Sequence, residues 1–209
     1  MRAIATIDLS DGVLFDTGSI TASTIRDADE YPGVRVKLVG ALDRARLPIG
    51  IDVNFGDPIW PVPSHINFPR IVDIGLGPVR LLGYPLTMVL AEKLVTAIDR
   101  GEANTRWRDY ADVYTIIRRH RIDASQLRKS LEVVAAHRQV RLQPLLPRLE
   151  RMPLIAQTKW QAWRTRVRRE DDLPATFTHV LTSSAAFADP VITNAVPEMN
   201  WVPGDEQWT

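Results

Sequence analysis

The chain has 209 residues, 45% hydrophobic and 24% charged, with a formal net charge of +1. These are the proportions of a soluble globular protein with one large or two small domains and a sizeable core. It has no cysteine, which excludes a disulfide framework and cysteine-held zinc and suits a reducing cytoplasm. No long apolar signal region opens the sequence, and no apolar run has the length that spans a bilayer.

The first part reads as strands. In "VRVKLVGAL" (34–42), Val34, Val36 and Leu38 alternate with Arg35, Lys37 and Val39. In "PIGIDVNFGD" (48–57), Ile49, Ile51, Val53 and Phe55 face one way, and Gly50, Asp52 and Asn54 the other. The β-branched residues on the first face agree with strand propensity. "DRAR" between the two runs predicts a hairpin connection. Four prolines between Pro58 and Pro69 predict an extended, irregular excursion. A short strand, "VRLLGY" (79–84), follows it.

From Pro85 the period becomes helical. "PLTMVLAEKLVTAIDRG" has Pro85 at its start and Gly101 just past its end, the expected punctuation of a helix. Leu86, Val89, Leu90, Leu94 and Ile98 recur at helical spacing. A second helix is predicted over about 105–119, with Asn104 as its cap. A third begins at "DASQLRKSLEVVAAHR", with Asp123 or Ser125 as cap. "IAQTKWQAWRTRVRRE" and "LPATFTHVLTSSAAFADPVI" predict two more, and the tail carrying Trp201 and Trp208 reads as a loop that partly docks. The pattern is α+β: a strand-rich part over 1–84 and a helical lobe over 85–209.

Charge is uneven along the chain. Residues 118–169 carry 14 Lys and Arg against three acids, Asp123, Glu132 and Glu150. This is either a basic face for an anionic partner such as RNA or DNA, or a set of solvated helix surfaces.

A few residues stand out for chemistry. Asp52 lies on the polar face of a strand, as a metal ligand or as a solvent-facing carboxylate. Lys93 sits among Met88, Leu90 and Leu94 and needs an anionic partner or a route to water. A triphosphate would serve, and so would Glu92 or a carboxylate across the fold. Asp109 and Asp112 are three apart and share a helix face close to Arg106 and Arg108. They suit either a metal or phosphate clamp or an Arg–Asp network between helices. The four histidines show no metal spacing, and neither a P-loop nor a GxGxxG motif is present.

"DEYPGVRVKLVGAL", "IDVNFGDPI" and "YPLTMVLAEKLVTAIDRGEANTRWRDYADVY" resemble, in order and spacing, the AbiEii/AbiGii-type nucleotidyltransferase toxins, including the mycobacterial MenT group. The resemblance implies a partial DNA polymerase β-like nucleotidyltransferase sheet followed by a C-terminal helical lobe. It implies nucleotide transfer from an NTP, with magnesium, to an RNA acceptor such as tRNA, and a cognate antitoxin. By motif position Lys93 would be the lysine that meets the NTP phosphates and Asp109 the acidic residue of the last catalytic motif. Asn104, Arg106 and Asp112 would assist nucleotide binding. Asp52 would be a further carboxylate facing the cleft and a metal ligand.

The sequence departs from the family pattern in places. Arg108 stands where the family has a lysine, and Leu86–Thr87 replace the polar residue common after "YP". The Gly-Ser and Asp-x-Asp that carry the family's metal site would fall upstream of Met1 in this register. "GSITASTIRDAD" imitates that motif, but its spacer is short. The β-branched "ITASTI" does not favour the helix that should follow Gly18–Ser19, and Asp27 and Asp29 lie in a polar turn rather than a strand. Two other readings follow: an inactive or truncated member of the fold that binds an antitoxin or RNA, and a basic RNA-binding module.

Overall fold

A computed structural model of the chain describes residues 1–25, 33–71, 75 and 77–209. The chain divides into two compact units, Met1–Asp57 and Pro58–Thr209. Residue 84 precedes the first of the long helices, although short strands follow again within 122–208. The compact units part earlier, so a pair of strands belongs with the helices.

The first unit is a short helix, α1 (Arg2–Ala5), and a three-stranded antiparallel sheet in the order β1 (Val13–Ile25), β2 (Gly33–Leu42), β3 (Ala45–Asn54). The hairpin between β2 and β3 is as tight as "DRAR" predicts. Leu42 pairs with Ala45, and Asp43 takes φ 51°, a left-handed conformation that aspartate tolerates. Val36 and Leu38 of β2 are buried, and Ile49, Ile51 and Val53 of β3 are half-buried between exposed Gly50, Asp52 and Asn54.

β1 was not expected as a strand. Its register shifts between Asp16 and Thr21, which hides the alternation. The shift is held by side chains. Asp16 Oδ1 accepts from the amides of Gly18 (3.0 Å) and Ser19 (3.2 Å). Ser19 Oγ donates to the Asp16 carbonyl (2.6 Å) and accepts from the Val39 amide (2.9 Å). Gly18–Ser19 is therefore a bulge within a strand, not the entry to a helix. Asp27 and Asp29 lie outside the described residues.

The second unit begins with a β-hairpin, β4 (Ser64–Phe68) against β5 (Val79–Gly83). The proline-rich excursion contains this strand because Pro58, Pro61 and Pro63 precede "SHINF" and Pro69 follows it. No proline interrupts the ladder. The helices are α2 (Leu86–Arg100), α3 (Trp107–Ile117), α4 (Ala124–His137), α5 (Leu145–Arg148), α6 (Met152–Arg166) and α7 (Phe177–Ile192). The chain is α+β, as its pattern predicts.

Helix ends follow local chemistry in some places. α2 starts after Pro85 and stops at Gly101, whose φ of 55° suits glycine. A Cβ there would meet the Arg148 guanidinium at 2.5 Å, where Arg148 Nε donates to the Ile98 carbonyl (3.0 Å). Asp123 caps α4 by accepting from the Gln126 amide (2.8 Å) and from Ser125 Oγ (2.6 Å). The tail does dock. β7 (Asn200–Val202) bridges β6 (Ile122–Asp123) and β8 (Gln207–Trp208). Trp201 Nε1 donates to the Ile117 carbonyl (2.6 Å), and Trp208 stacks on Phe187.

The core of this unit gathers the inner faces of α2, α3, α4, α6 and α7. Phe177 of α7 takes ring edges from Trp107 (5.8 Å), Tyr110 (5.0 Å) and Trp160 (5.7 Å), which anchors the first turn of α3.

Candidate functional site

α2 is buried nearly all round, and Lys93 is placed where α2 meets α3. Its Nζ donates to Asp109 Oδ1 at 2.9 Å and to Asp112 Oδ2 at 2.8 Å. Both acids reach it because residues three apart share a helix face. The lysine is 18% exposed and the acids 20% and 29%. Burial opposes the lysine's charge, but the hydrogen bonds to Asp112 and Asp109, with their charges, outweigh it and raise its pKa above the ordinary value. Lys93 is thus a fixed ammonium near the surface of a helical core. The space beneath it, bounded by Leu94, Tyr110, Val113, Leu145 and Ser184, is only about 10 Å³. That is the margin for a single water, so nothing larger fits on that side of the ammonium.

Glu92, the other acid within reach along the sequence, is taken by Arg138, which also donates to Thr96 Oγ1 at 2.6 Å. Arg108 reaches Asp112 at 3.8 Å and is otherwise exposed.

Asn104 does not cap the second helix, which begins at Trp107 with Arg106 in the cap position. Asn104 is buried, and its amide is engaged at both ends. Oδ1 accepts from the Arg106 amide (2.9 Å), and Nδ2 donates to the Tyr110 hydroxyl (3.3 Å). Tyr110 in turn donates to Met152 Sδ (3.3 Å), and burial pushes its phenol pKa up. Asn104 therefore shapes the turn that sets Arg106 at the mouth of α3.

Asp52 lies in the other unit, opposite Arg35 on the neighbouring strand. It accepts from Arg35 Nε and Nη2, both at 2.7 Å, and this pairing holds its carboxyl below the usual range.

Asp109 also borders an open cleft of about 310 Å³ between the start of α3 and the end of α6. Arg106, Trp107, Arg108, Trp163 and Arg166 line it with Asp109. The tryptophans and Arg166 were not singled out from the sequence. The signal was present in "KWQAWRTRVRR", where aromatic and basic residues interleave.

The family described as "Nucleotidyl transferase AbiEii toxin, Type IV TA system" matches residues 1–183. The chain belongs to the AbiEii nucleotidyltransferase toxin family. No curated protein and no solved structure shows significant similarity to it. AbiEii toxins are nucleotidyltransferases of type IV toxin–antitoxin systems, which implies a nucleotide substrate and an antitoxin partner. Among the described residues, no helix is long and apolar enough to cross a membrane.

Nucleotidyltransferases generally use a divalent metal. The described residues do not by themselves fit one. They contain no group of three or more His, Cys, Asp or Glu able to hold a metal ion. Asp109 and Asp112 already enclose the Lys93 ammonium, and Asp52 is held by Arg35 through both oxygens. The Lys93 site is thus an ammonium–carboxylate cluster rather than a metal centre.

Proposed function

We propose that this AbiEii-family chain transfers a nucleotide from an NTP to a hydroxyl of an RNA acceptor, most simply tRNA. An antitoxin in the same cytoplasm holds it in check. The observation that carries the reading is Lys93 fixed between Asp109 and Asp112 at the surface of α2 and α3.

In this reading the NTP phosphates approach from solvent and draw Lys93 away from one of its carboxylates. The ammonium neutralises charge on the triphosphate, and its raised pKa keeps it protonated throughout the neutral range. Asp109, released on one side, accepts the proton of the attacking hydroxyl. The new phosphorus–oxygen bond forms as the bond to pyrophosphate breaks. Asp112 retains the lysine and keeps it from swinging out. Arg106 holds a phosphate at the start of α3, and Asn104 acts through the turn that positions it. Magnesium would enter with the triphosphate, since such ions are commonly held by substrate phosphates and few carboxylates. Asp52, held by Arg35 through both oxygens, takes no part in holding it.

Label transfer from radioactive NTPs to total tRNA, with magnesium present, tests the reading. Lys93→Met and Asp109→Asn are expected to lower the rate about 10²–10³-fold. Wild-type rates in both variants, with folding intact, would remove Lys93 and Asp109 from the site. A protein that binds RNA without transferring label to any acceptor would support the binding-only reading.

A further inference from the structure

The chain passes from α2 to α3 through Gly101–Arg106, and one short segment grips this connection before, within and after the turn. Before it, Arg148 of α5 donates from Nε to the Ile98 carbonyl (3.0 Å) and from Nη2 to the Asp99 carbonyl (3.4 Å). These acceptors belong to the last turn of α2, where carbonyls outnumber helical amides and a cation is favoured. Within it, Glu102 Oε1 accepts from the Arg151 amide (2.9 Å). After it, the Tyr110 hydroxyl donates to Met152 Sδ (3.3 Å). Leu145, at the start of the segment, bounds the small space under Lys93. α7 holds the segment in turn, since Asp189 accepts from the amides of Leu145 (2.6 Å) and Leu146 (3.3 Å).

We propose that Arg148 is a positioning residue: through it, residues 145–152 clamp α2 and α3 in the register that sets Lys93 between Asp109 and Asp112. Its consequence for catalysis rests on the nucleotide-transfer reading above, and it adds what holds that geometry. Arg148 touches no substrate. Glycine at 101 leaves the turn itself permissive, so the register needs contacts from outside the turn. The same glycine makes room for the clamp. A Cβ there would meet Nη2, Cζ and Nη1 of Arg148 at 2.5, 2.6 and 2.6 Å, so the guanidinium occupies the space a side chain would take. The grips are also close to the cluster. Ile98 lies on α2 with Lys93, and Tyr110 directly follows Asp109 on α3. Lys93 Nζ stands 2.9 and 2.8 Å from its two acids, and a slide of about 1 Å between the helices would take both bonds out of range. Misplacement on that scale can cost about 10²-fold in rate.

The test follows the Lys93 ammonium itself, by proton–nitrogen NMR of the full chain. Held between two carboxylates, this group exchanges its protons slowly and gives a signal, whereas Lys37, Lys129 and Lys159 are exposed and exchange fast. Lys93→Met identifies the signal. Wild type is expected to show it, and so is Asp123→Ala, which loosens the start of α4 and leaves residues 145–152 intact. Arg148→Met should lose it. Gly101→Ala, which displaces the guanidinium without removing it, should lose it too. Arg148→Lys keeps a donor for one carbonyl but not the fork, and should retain part of it. Label transfer at saturating NTP should fall about tenfold or more in Arg148→Met, and less in Arg148→Lys.

A Lys93 signal that persists in both Arg148→Met and Gly101→Ala overturns the proposal. So does its loss in Asp123→Ala, which would make it a gauge of general stability, and so does its absence from the wild type. If Arg148→Met does not fold, Gly101→Ala and Arg148→Lys carry the same measurement, and an undiminished signal in both overturns the clamp. Wild-type transfer rates in a variant that has lost the signal overturn the catalytic consequence of Arg148. A wild type that transfers no label counts against the nucleotide-transfer reading, and the NMR result then decides the clamp by itself.

Discussion

In Met1–Asp57, Val36 and Leu38 are the large side chains that become buried among the described residues, joined by Ala5. In Pro58–Thr209 the buried set runs from Met88 to Trp201 and includes two tryptophans and two phenylalanines that are almost wholly inaccessible. The sheet unit is organised by strand pairing and by turn chemistry such as the Asp16–Ser19 bulge, while the helical unit is organised by side-chain packing. The same difference appears in their ion pairs. Arg35–Asp52 spans two strands with both side chains 47% exposed, whereas Lys93 is enclosed by two acids and a packed helix pair. A charge is held in a single geometry where its surroundings are closely packed, and in this chain that is the helical unit.

The largest effect should come from Trp160→Ala, which removes the ring on which Trp163 stacks and which fills the space beside Phe177. A loss of about 4 kcal/mol is expected in urea unfolding. A loss below 1 kcal/mol would break the contrast between a packed unit and a paired one. Next is Lys93→Met, which leaves two carboxylates facing each other without their shared cation. It should destabilise by about 2 kcal/mol, and adding Asp112→Asn should recover part of that, as a double-mutant cycle would show.

Asp123→Ala removes the α4 cap and should cost about 1 kcal/mol. Its pH dependence has a definite sign. The hydrogen bond from Ser125, then the backbone amides of Gln126 and Ser125, depress the folded-state pKa below the unfolded value despite partial burial. The contribution is therefore present above the unfolded carboxylate pKa of about 4 and is lost as pH falls through the lower folded value. Chemical unfolding of wild type and Asp123→Ala between pH 6 and 2 should converge at the acid end. The smallest effect belongs to Arg35→Ala and Asp52→Ala, which should leave the thermal midpoint unchanged within error because both groups stay hydrated. If Asp52→Ala instead abolished label transfer, the carboxylate would have a role that its pairing with Arg35 does not suggest.

Much of this contrast was legible beforehand, for reasons that vary by element. α2 was readable to the residue because Pro85 and Gly101 act locally at its ends. β2 and the Ile49–Val53 part of β3 were readable because a half-buried sheet imposes a period of two, but β3 ends at Asn54 and leaves Phe55 exposed rather than on the inner face. β1 was not, since its bulge breaks that period with bonds to Val39, 20 residues away. The start of α3 was misplaced for a similar reason. Asn104 has the chemistry of a cap, but its amide is drawn to Tyr110, which Met152 and Phe177 fix from other helices.

For the candidate site, the sequence by itself determined the class of fold, the family, and three candidate residues that the structure brings into one cluster. Lys93, Asp109 and Asp112 could be named because motif spacing and helical period are properties of a local chain. Which acid meets the lysine was settled only in three dimensions. Glu92 is adjacent in sequence, but neighbouring residues on a helix do not face one another, and it turns to Arg138 instead. The cleft was likewise invisible along the chain. Trp107 and Trp163 are brought together by α7, whose Phe177 anchors both α3 and α6, and packing of that kind leaves no signature at any fixed spacing.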